Sequence, residues 1–237
     1  MGEANEIFAN GSTFTSDARV ERQTKGKAAM GRPTSEDAQN QAAAIRATTD
    51  LASLVAATGG TSDARRPAPV ETWHPPFCGD IDMRIARDGT WFYNGTPIGR
   101  PALVKLFASI LRKDPERYVL VTPVECVGIK VDDVPFIAVE MQETDTPQGP
   151  GLRLRTNVDD EVVVDHEHPL RFERGAADGV VPYVLVRGGL WARLTRTLFF
   201  DLAARGEVER VGGEAMFGVR SAGQFFAMAP AADVEET

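Results

Sequence analysis

The run IDMRIARDGTWFYNGTPIGRPALVKLFASIL, from Ile81 to Leu111, constrains this chain more than any other stretch. Met83-Arg84-Ile85-Ala86 alternates apolar and polar residues, the two-residue period of a strand with one buried face. Asp88-Gly89 is a hairpin signal, because Gly accepts positive φ. Trp91-Phe92-Tyr93 returns as a strand, and Asn94-Gly95 turns again. Pro101 suits the first turn of a helix, where its missing N–H costs nothing. Leu103, Leu106, Phe107, Ile110 and Leu111 then fall on one helical face, until Asp114-Pro115 stops the helix. A chain that turns this tightly is expected to build small curved antiparallel sheets backed by helices.

Downstream, strands are expected over Tyr118–Val124, Val127–Val131, Phe136–Met141, Leu152–Thr156, Val162–Val164, Leu170–Phe172, Tyr183–Val186, Ala215–Val219 and Phe225–Met228. Glu143 to Gly151 carries acids, Pro and Gly and reads as a loop. Gly188-Gly189 is read as a turn into a helix bearing Leu190, Leu194, Leu198 and Leu202. The order strand, strand, Gly turn, helix, strand, strand therefore occurs twice. Trp91 to Gly95 aligns with Val184 to Gly188, which sets Arg100 against Arg193 and Phe107 against Phe200. The helix cores fit better one residue slipped, so the repeat is weak. The fold class expected is α+β, with two small duplicated units, each a curved antiparallel sheet with one helix.

Composition divides the chain further. Residues 1–69 hold eight basic and eight acidic residues, so the net charge of −8 lies on the remainder. That segment is rich in Ala, Thr, Ser, Gly and Asp. It reads as a largely disordered tail, with one helix near 36–57 that either packs on the body or binds a partner. A N-terminal α+β domain is expected at 70–132 and a C-terminal α+β domain at 133–237. The acidic balance argues against nucleic acid and against an anionic membrane surface as partners. No apolar run approaches the roughly 20 residues that span a bilayer. The start MGEANEIFANGS lacks a secretory h-region, so a cytoplasmic location is expected. Two cysteines, Cys78 and Cys126, are too few for a disulfide framework or a Cys-rich zinc site.

No nucleophile elbow, phosphate loop or HExxH is present. His166-Glu167-His168 before Pro169 reads as a turn in preference to a metal site. Asp159-Asp160-Glu161 with Asp165 either lines a solvated turn or holds a hard cation, and the turn is preferred. No cofactor is indicated. Gly95 to Arg100 leads into a helix N-terminus, where Arg100 could meet an anion. Thr122, Glu125, Asn157 and Asp159 interrupt otherwise apolar strands, and polar groups there need partners or a ligand. With Asp82, Arg84, Arg100 and Arg193 they form the expected lining of a cleft between the units. Asp82 and Arg84 alternatively pair with each other.

Five segments, FCGDIDMRIARDGTWFYNGTPIGRPALVKLF from Phe77, LVTPVE from Leu120, RTNVDDE from Arg155, EHPLR from Glu167 and YVLVRGGLWARLTR from Tyr183, resemble a bacterial family, the domain of unknown function 1285. The likeness covers about Thr72 to Met228 and leaves the tail outside. It implies two α+β domains with an internal duplication, the second superficially like a pleckstrin-homology fold. It also implies a ligand site at the domain interface and a signalling or stress-related role, with a nucleotide-like ligand. It carries over no catalytic residue. The reading is a ligand-binding regulatory protein that takes a small anion in the interdomain cleft. The alternatives are a hydrolase using Glu125 or Asp159 with a divalent metal, and a protein-interaction scaffold.

Overall fold

The structure is a computed structural model that describes residues 68–175 and 179–235. Of the tail expected at 1–69, residues 1–67, with the helix near 36–57, lie outside the described residues. Within them the chain is mostly β, with few short helices. A 3₁₀ turn, Val70–Thr72, leads into β1 (Phe77–Ile85), β2 (Trp91–Tyr93) and β3 (Thr96–Pro97). Helix α1 (Pro101–Ser109) follows, then β4 (Leu111–Lys113), β5 (Tyr118–Val121) and β6 (Cys126–Val131). These strands form one sheet in the order β3-β2-β1-β6-β5-β4.

A second set follows: β7 (Phe136–Thr146), β8 (Gly149–Thr156), β9 (Glu161–Val163), β10 (Leu170–Arg174), β11 (Val180–Arg187) and β12 (Leu190–Leu194). Its sheet order is β10-β11-β12-β7-β8-β9. Numbered within each sheet, the two orders are the same. Three strands run outward, three run back, and the first and last strands meet at the centre. That central pair is parallel in both sheets, β1 with β6 and β12 with β7. Helix α2 (Arg196–Ala203) then leads to a small antiparallel sheet of β13 (Glu207–Val211), β14 (Glu214–Ser221) and β15 (Gln224–Pro230), and α3 (Ala231–Glu235) ends the described chain.

The sheets are thus mixed, where antiparallel ones were expected. Hairpin signals report only neighbours joined by a tight turn, and the parallel pairs join strands far apart in sequence. Three local expectations also change. Glu143 to Gly151 is no loop, because β7 and β8 continue through it as a long hairpin. Leu111 belongs to β4, so α1 ends at Ser109, before Asp114-Pro115. Leu190 to Leu194 is a strand, with Leu190, Ala192 and Leu194 buried in alternation. A leucine every fourth residue satisfies a period of two as well as one of 3.6, and Gly188 and Gly189 have φ of 48° and 76°, values that suit a hairpin turn.

One contiguous apolar core runs through the described chain, from Met83, Trp91 and Phe107 to Phe136, Leu154, Leu190 and Phe226. Trp91 and Phe107 are 1% and 0% exposed, and their rings stack at 6.3 Å. Phe77 is 48% exposed beneath the Arg117 guanidinium, whereas Trp73 packs on the core.

Candidate functional site

The two sheets meet where β1 turns. Gly89 adopts φ of +83° at the tip of the turn after β1. A Cβ there would lie 2.8 Å from Ile137 Cγ1 and 2.9 Å from Asn157 Nδ2, so glycine is required both by conformation and by space. Thr90 N donates to Asp88 Oδ1 at 2.9 Å, and these hydrogen bonds from Thr90 lower the Asp88 carboxyl below its ordinary range. Arg193 Nη2 donates to the Arg87 carbonyl at 2.7 Å, clamping the turn onto β12. On the chain between β6 and β7, Asp133 gathers Tyr183 Oη at 3.2 Å and Arg193 Nη1 at 3.6 Å. Burial, then the Asp133 carboxylate, pushes the Tyr183 hydroxyl pKa up.

Beside this clamp opens a cavity of about 760 Å³ that reaches from Asp88 across Ile137 and Arg193 to the start of α2. Thr195 caps α2, its hydroxyl accepting from Leu198 N at 3.4 Å. Arg196 is exposed on the same wall, its guanidinium 5.5 Å from the Phe200 ring centroid. The structure gives Arg196 no acidic partner among the described residues. The rest of the wall is largely apolar, including Val181, Leu194 and Phe199.

A second contact lies on the other side of the junction. Lys105 of α1 pairs with Asp159, and Arg155 holds Glu140 at 2.5 Å and Asp159 at 3.3 Å. The hydrogen bond from Lys105 is the main cause of a lowered Asp159 pKa. Arg187 pairs with Asp160, donates to the Ala108 carbonyl at 2.8 Å and lies 5.0 Å from the Phe136 ring. A cavity of about 580 Å³ is lined by Arg155, Asp160, His168 and Arg187. His168 Nδ1 lies 3.1 Å from the Leu185 carbonyl, which only accepts, so Nδ1 carries the proton. The arginines of this cavity are already committed to carboxylates, unlike Arg196.

Of the residues expected to line one cleft, Arg193, Asn157 and Asp159 come to the junction between the sheets. Arg84 does not pair with Asp82. Its partner is Asp132, at 2.5 Å, and its guanidinium lies 4.6 Å from the Phe92 ring. Asp82 is exposed on β1, its carbonyl accepting from Asn94 N at 2.9 Å. Arg100 is the N-cap residue of α1 without a side-chain cap bond, whereas Arg193 lies inside β12, so the two do not occupy equivalent places.

Thr122 and Glu125 lie at the opposite end of the first sheet. Six residues of β6 separate them from Asp132, about 20 Å at strand rise. Thr122 is fully buried, and its hydroxyl accepts from Val124 N at 3.3 Å and Glu125 N at 3.0 Å. Thr156 repeats the device, accepting from Val158 N and Asp160 N. Asn157 Oδ1 accepts from Ile137 N at 3.0 Å. The polar interruptions in the strands are therefore satisfied by backbone groups at turns. Burial pushes the Cys126 thiol pKa up, against the pull of Arg112, which leaves it a poor nucleophile. Arg196 was missed because a helix begun at Leu190 puts it mid-helix. The available signal was Thr195, a preferred N-cap residue.

Comparison with known proteins agrees on one relationship. No match was found among curated proteins. A crystal structure of a DUF1285 family protein from Silicibacter pomeroyi DSS-3 is 46% identical, with a TM-score of 0.69, over 77% of this chain and 97% of that one. A DUF1285 family protein from Shewanella baltica OS155 is 28% identical over 50% of this chain and 87% of that one, with a TM-score of 0.42. Residues 68–134 match the N-terminal domain of the domain of unknown function DUF1285, and residues 135–228 match the C-terminal domain of the protein of unknown function DUF1285. The chain belongs to the DUF1285 family and carries both of its domains.

Proposed function

We propose that the chain is a ligand-binding regulatory protein that takes a small organic anion in the 760 Å³ cavity between the Asp88 turn and α2. One observation carries this reading. Arg196 presents an exposed guanidinium, without an acidic partner among the described residues, on a cavity whose walls are otherwise largely apolar. Such a site has the usual make-up of a small-molecule pocket, an apolar body with few directed charges. Arg193 adds positive charge beside it, although Asp133 and the Arg87 carbonyl already engage its donors. Ligand binding would act on the junction directly, because Arg193 both lines the cavity and clamps the turn of the first domain. That coupling fits a role in signal transduction.

The shared strand order supports reading the two six-stranded sheets as copies of one unit. The added small sheet and helices of the second domain are the part to compare with a pleckstrin-homology fold. No helix among the described residues is long and apolar enough to cross a membrane, and a cytoplasmic location remains our reading. The hydrolytic alternative draws less support. Among the described residues no group of three His, Cys, Asp or Glu is placed to hold a metal ion. Asp159 is engaged by Lys105 and Arg155, and its lowered pKa makes it a weaker base.

Thermal shift and calorimetry with AMP, ATP and a panel of small carboxylates test the reading. The full chain should be stabilised by at least one anion, and Arg196→Ala should weaken that binding at least tenfold while leaving the ligand-free melting temperature within about 2 °C. An anion effect that survives Arg196→Ala undiminished, or none with any compound, removes the site.

A further inference from the structure

A second cavity, of about 780 Å³, lies between β10, β15 and α3 and touches α2 at Phe199. Its walls include Phe172, Met228, Pro230 and Val234, and it shares Val180 and Phe199 with the cavity already described. We infer that the two form one trough, and that the ligand is an elongated monoacid, a carboxylate on an unbranched apolar chain. The acid group would lie between Arg193 and Arg196, and the chain would cross Val180 and Phe199 toward Met228 and Val234. This inference rests on the small-anion reading given above.

Three features point to that class. The cations of the first cavity, Arg193 and Arg196, flank the start of α2 and outnumber its one carboxylate, Asp88, so the acid group of a ligand belongs at this end. The shared wall offers only Val180 and Phe199, with Val181, Pro182 and Leu194 nearby, and none of these side chains donates or accepts a hydrogen bond. A ribose or a base edge there would leave its own polar groups unpaired, whereas methylenes lose nothing. The exposed apolar side chains also fit the proposal. Phe200 is 55% exposed and Val234 41% exposed, and each lines one end of the trough. Met228 supplies a flexible, polarisable wall that adapts to a chain better than to a rigid ring. At the second cavity Glu173 and Asp233 disfavour a second anionic group, and Arg174 offsets only part of that charge.

Calorimetry on the full chain with butanoate, octanoate, dodecanoate and AMP tests this. Affinity should rise about three- to fourfold for each methylene seated in the trough, so that dodecanoate far exceeds butanoate and AMP. Met228→Glu, which puts a charge in the second cavity and not in the first, should cut dodecanoate binding at least tenfold and leave butanoate within about twofold. Val234→Glu, at an exposed position in the second cavity, should weaken dodecanoate about tenfold and spare butanoate, and serves if Met228→Glu does not fold. Butanoate binding with no gain along the series overturns the trough and keeps the small-anion site. AMP binding more tightly than dodecanoate, or a chain-length gain unchanged in the folded variants, overturns the trough too. Absence of binding by every acid and by AMP overturns both readings.

Discussion

The first and second six-stranded sheets differ most in what joins their third strand to their fourth. In the first sheet that link carries α1, whose Phe107 stacks on Trp91. In the second it is a turn without a helix, held by Asp165 Oδ1 accepting from Glu167 N at 2.8 Å and His168 N at 2.9 Å. The second sheet instead contacts the helix of the first. Arg187 on β11 reaches the Ala108 carbonyl near the end of α1, and Asp159 reaches Lys105 in its middle. One helix thus serves two sheets. The lesson is that two sheets with the same strand order need not be covered alike: α1 packs on the first and adds polar contacts to the second, whereas the second carries α2, with Leu198 and Leu202 buried, after its last strand.

That comparison breaks if the sheets unfold separately. Phe107→Ala, at a fully buried position, should cost about 3–5 kcal/mol. Urea unfolding followed by far-UV circular dichroism should show one transition moved to lower denaturant. A split into two transitions, with only one displaced, would mean that α1 stabilises its own sheet alone. A middle-sized effect is expected at the turn that docks on the second sheet. Gly89→Ala meets both positive φ and the contacts with Ile137 and Asn157, and should cost about 2–3 kcal/mol. Gly95→Ala has φ of +73° and open space around its Cβ, so it should cost only about 1 kcal/mol. Equal losses would show that the Gly89 turn gains nothing from its seat.

The smallest effect concerns Lys105 and Asp159. The Asp159 pKa is lowered in the folded chain, chiefly by Lys105, so the pair contributes stability above the unfolded carboxyl pKa of 3.8. That contribution is lost as pH falls through the lower folded value. Asp159 is 52% exposed, so solvent and salt screen the pair. Melting curves of the parent and Asp159→Asn should differ slightly near neutral pH and converge as pH falls through the lowered folded pKa. A difference that persists in acid would assign the effect to lost packing or turn geometry.

Much of the first domain was legible because its signals are local. Asp88-Gly89, Asn94-Gly95 and Pro101 each mark a turn or helix start within a few residues, and the structure follows them. The second domain was less so. Leu190, Leu194, Leu198 and Leu202 sit at a spacing that fits strand and helix together, and only Gly188-Gly189 before them and Thr195 within them decide the matter. The candidate site suffered from a different ambiguity. A polar residue inside an apolar strand announces an unmet hydrogen bond without saying who meets it. At Thr122, Thr156 and Asn157 the backbone does, whereas Arg193 spans the domain junction. Arg196, in contrast, is an ordinary surface arginine until Phe200 and the cavity wall are placed beside it.

The parallel centre of each sheet has a consequence for how the chain is made. β1 pairs with β6, joining Ile85 to Val131, and β7 pairs with β12, joining Ile137 to Arg193. On the ribosome the first strand of each sheet must therefore wait for the last before its inner edge is covered. In that interval β1 exposes a row of unpaired amides beside apolar Met83 and Ile85, a template for another nascent chain. Contacts this distant in sequence slow closure, so a translation arrest before Cys126 leaves an adhesive half-sheet in place of a folded domain.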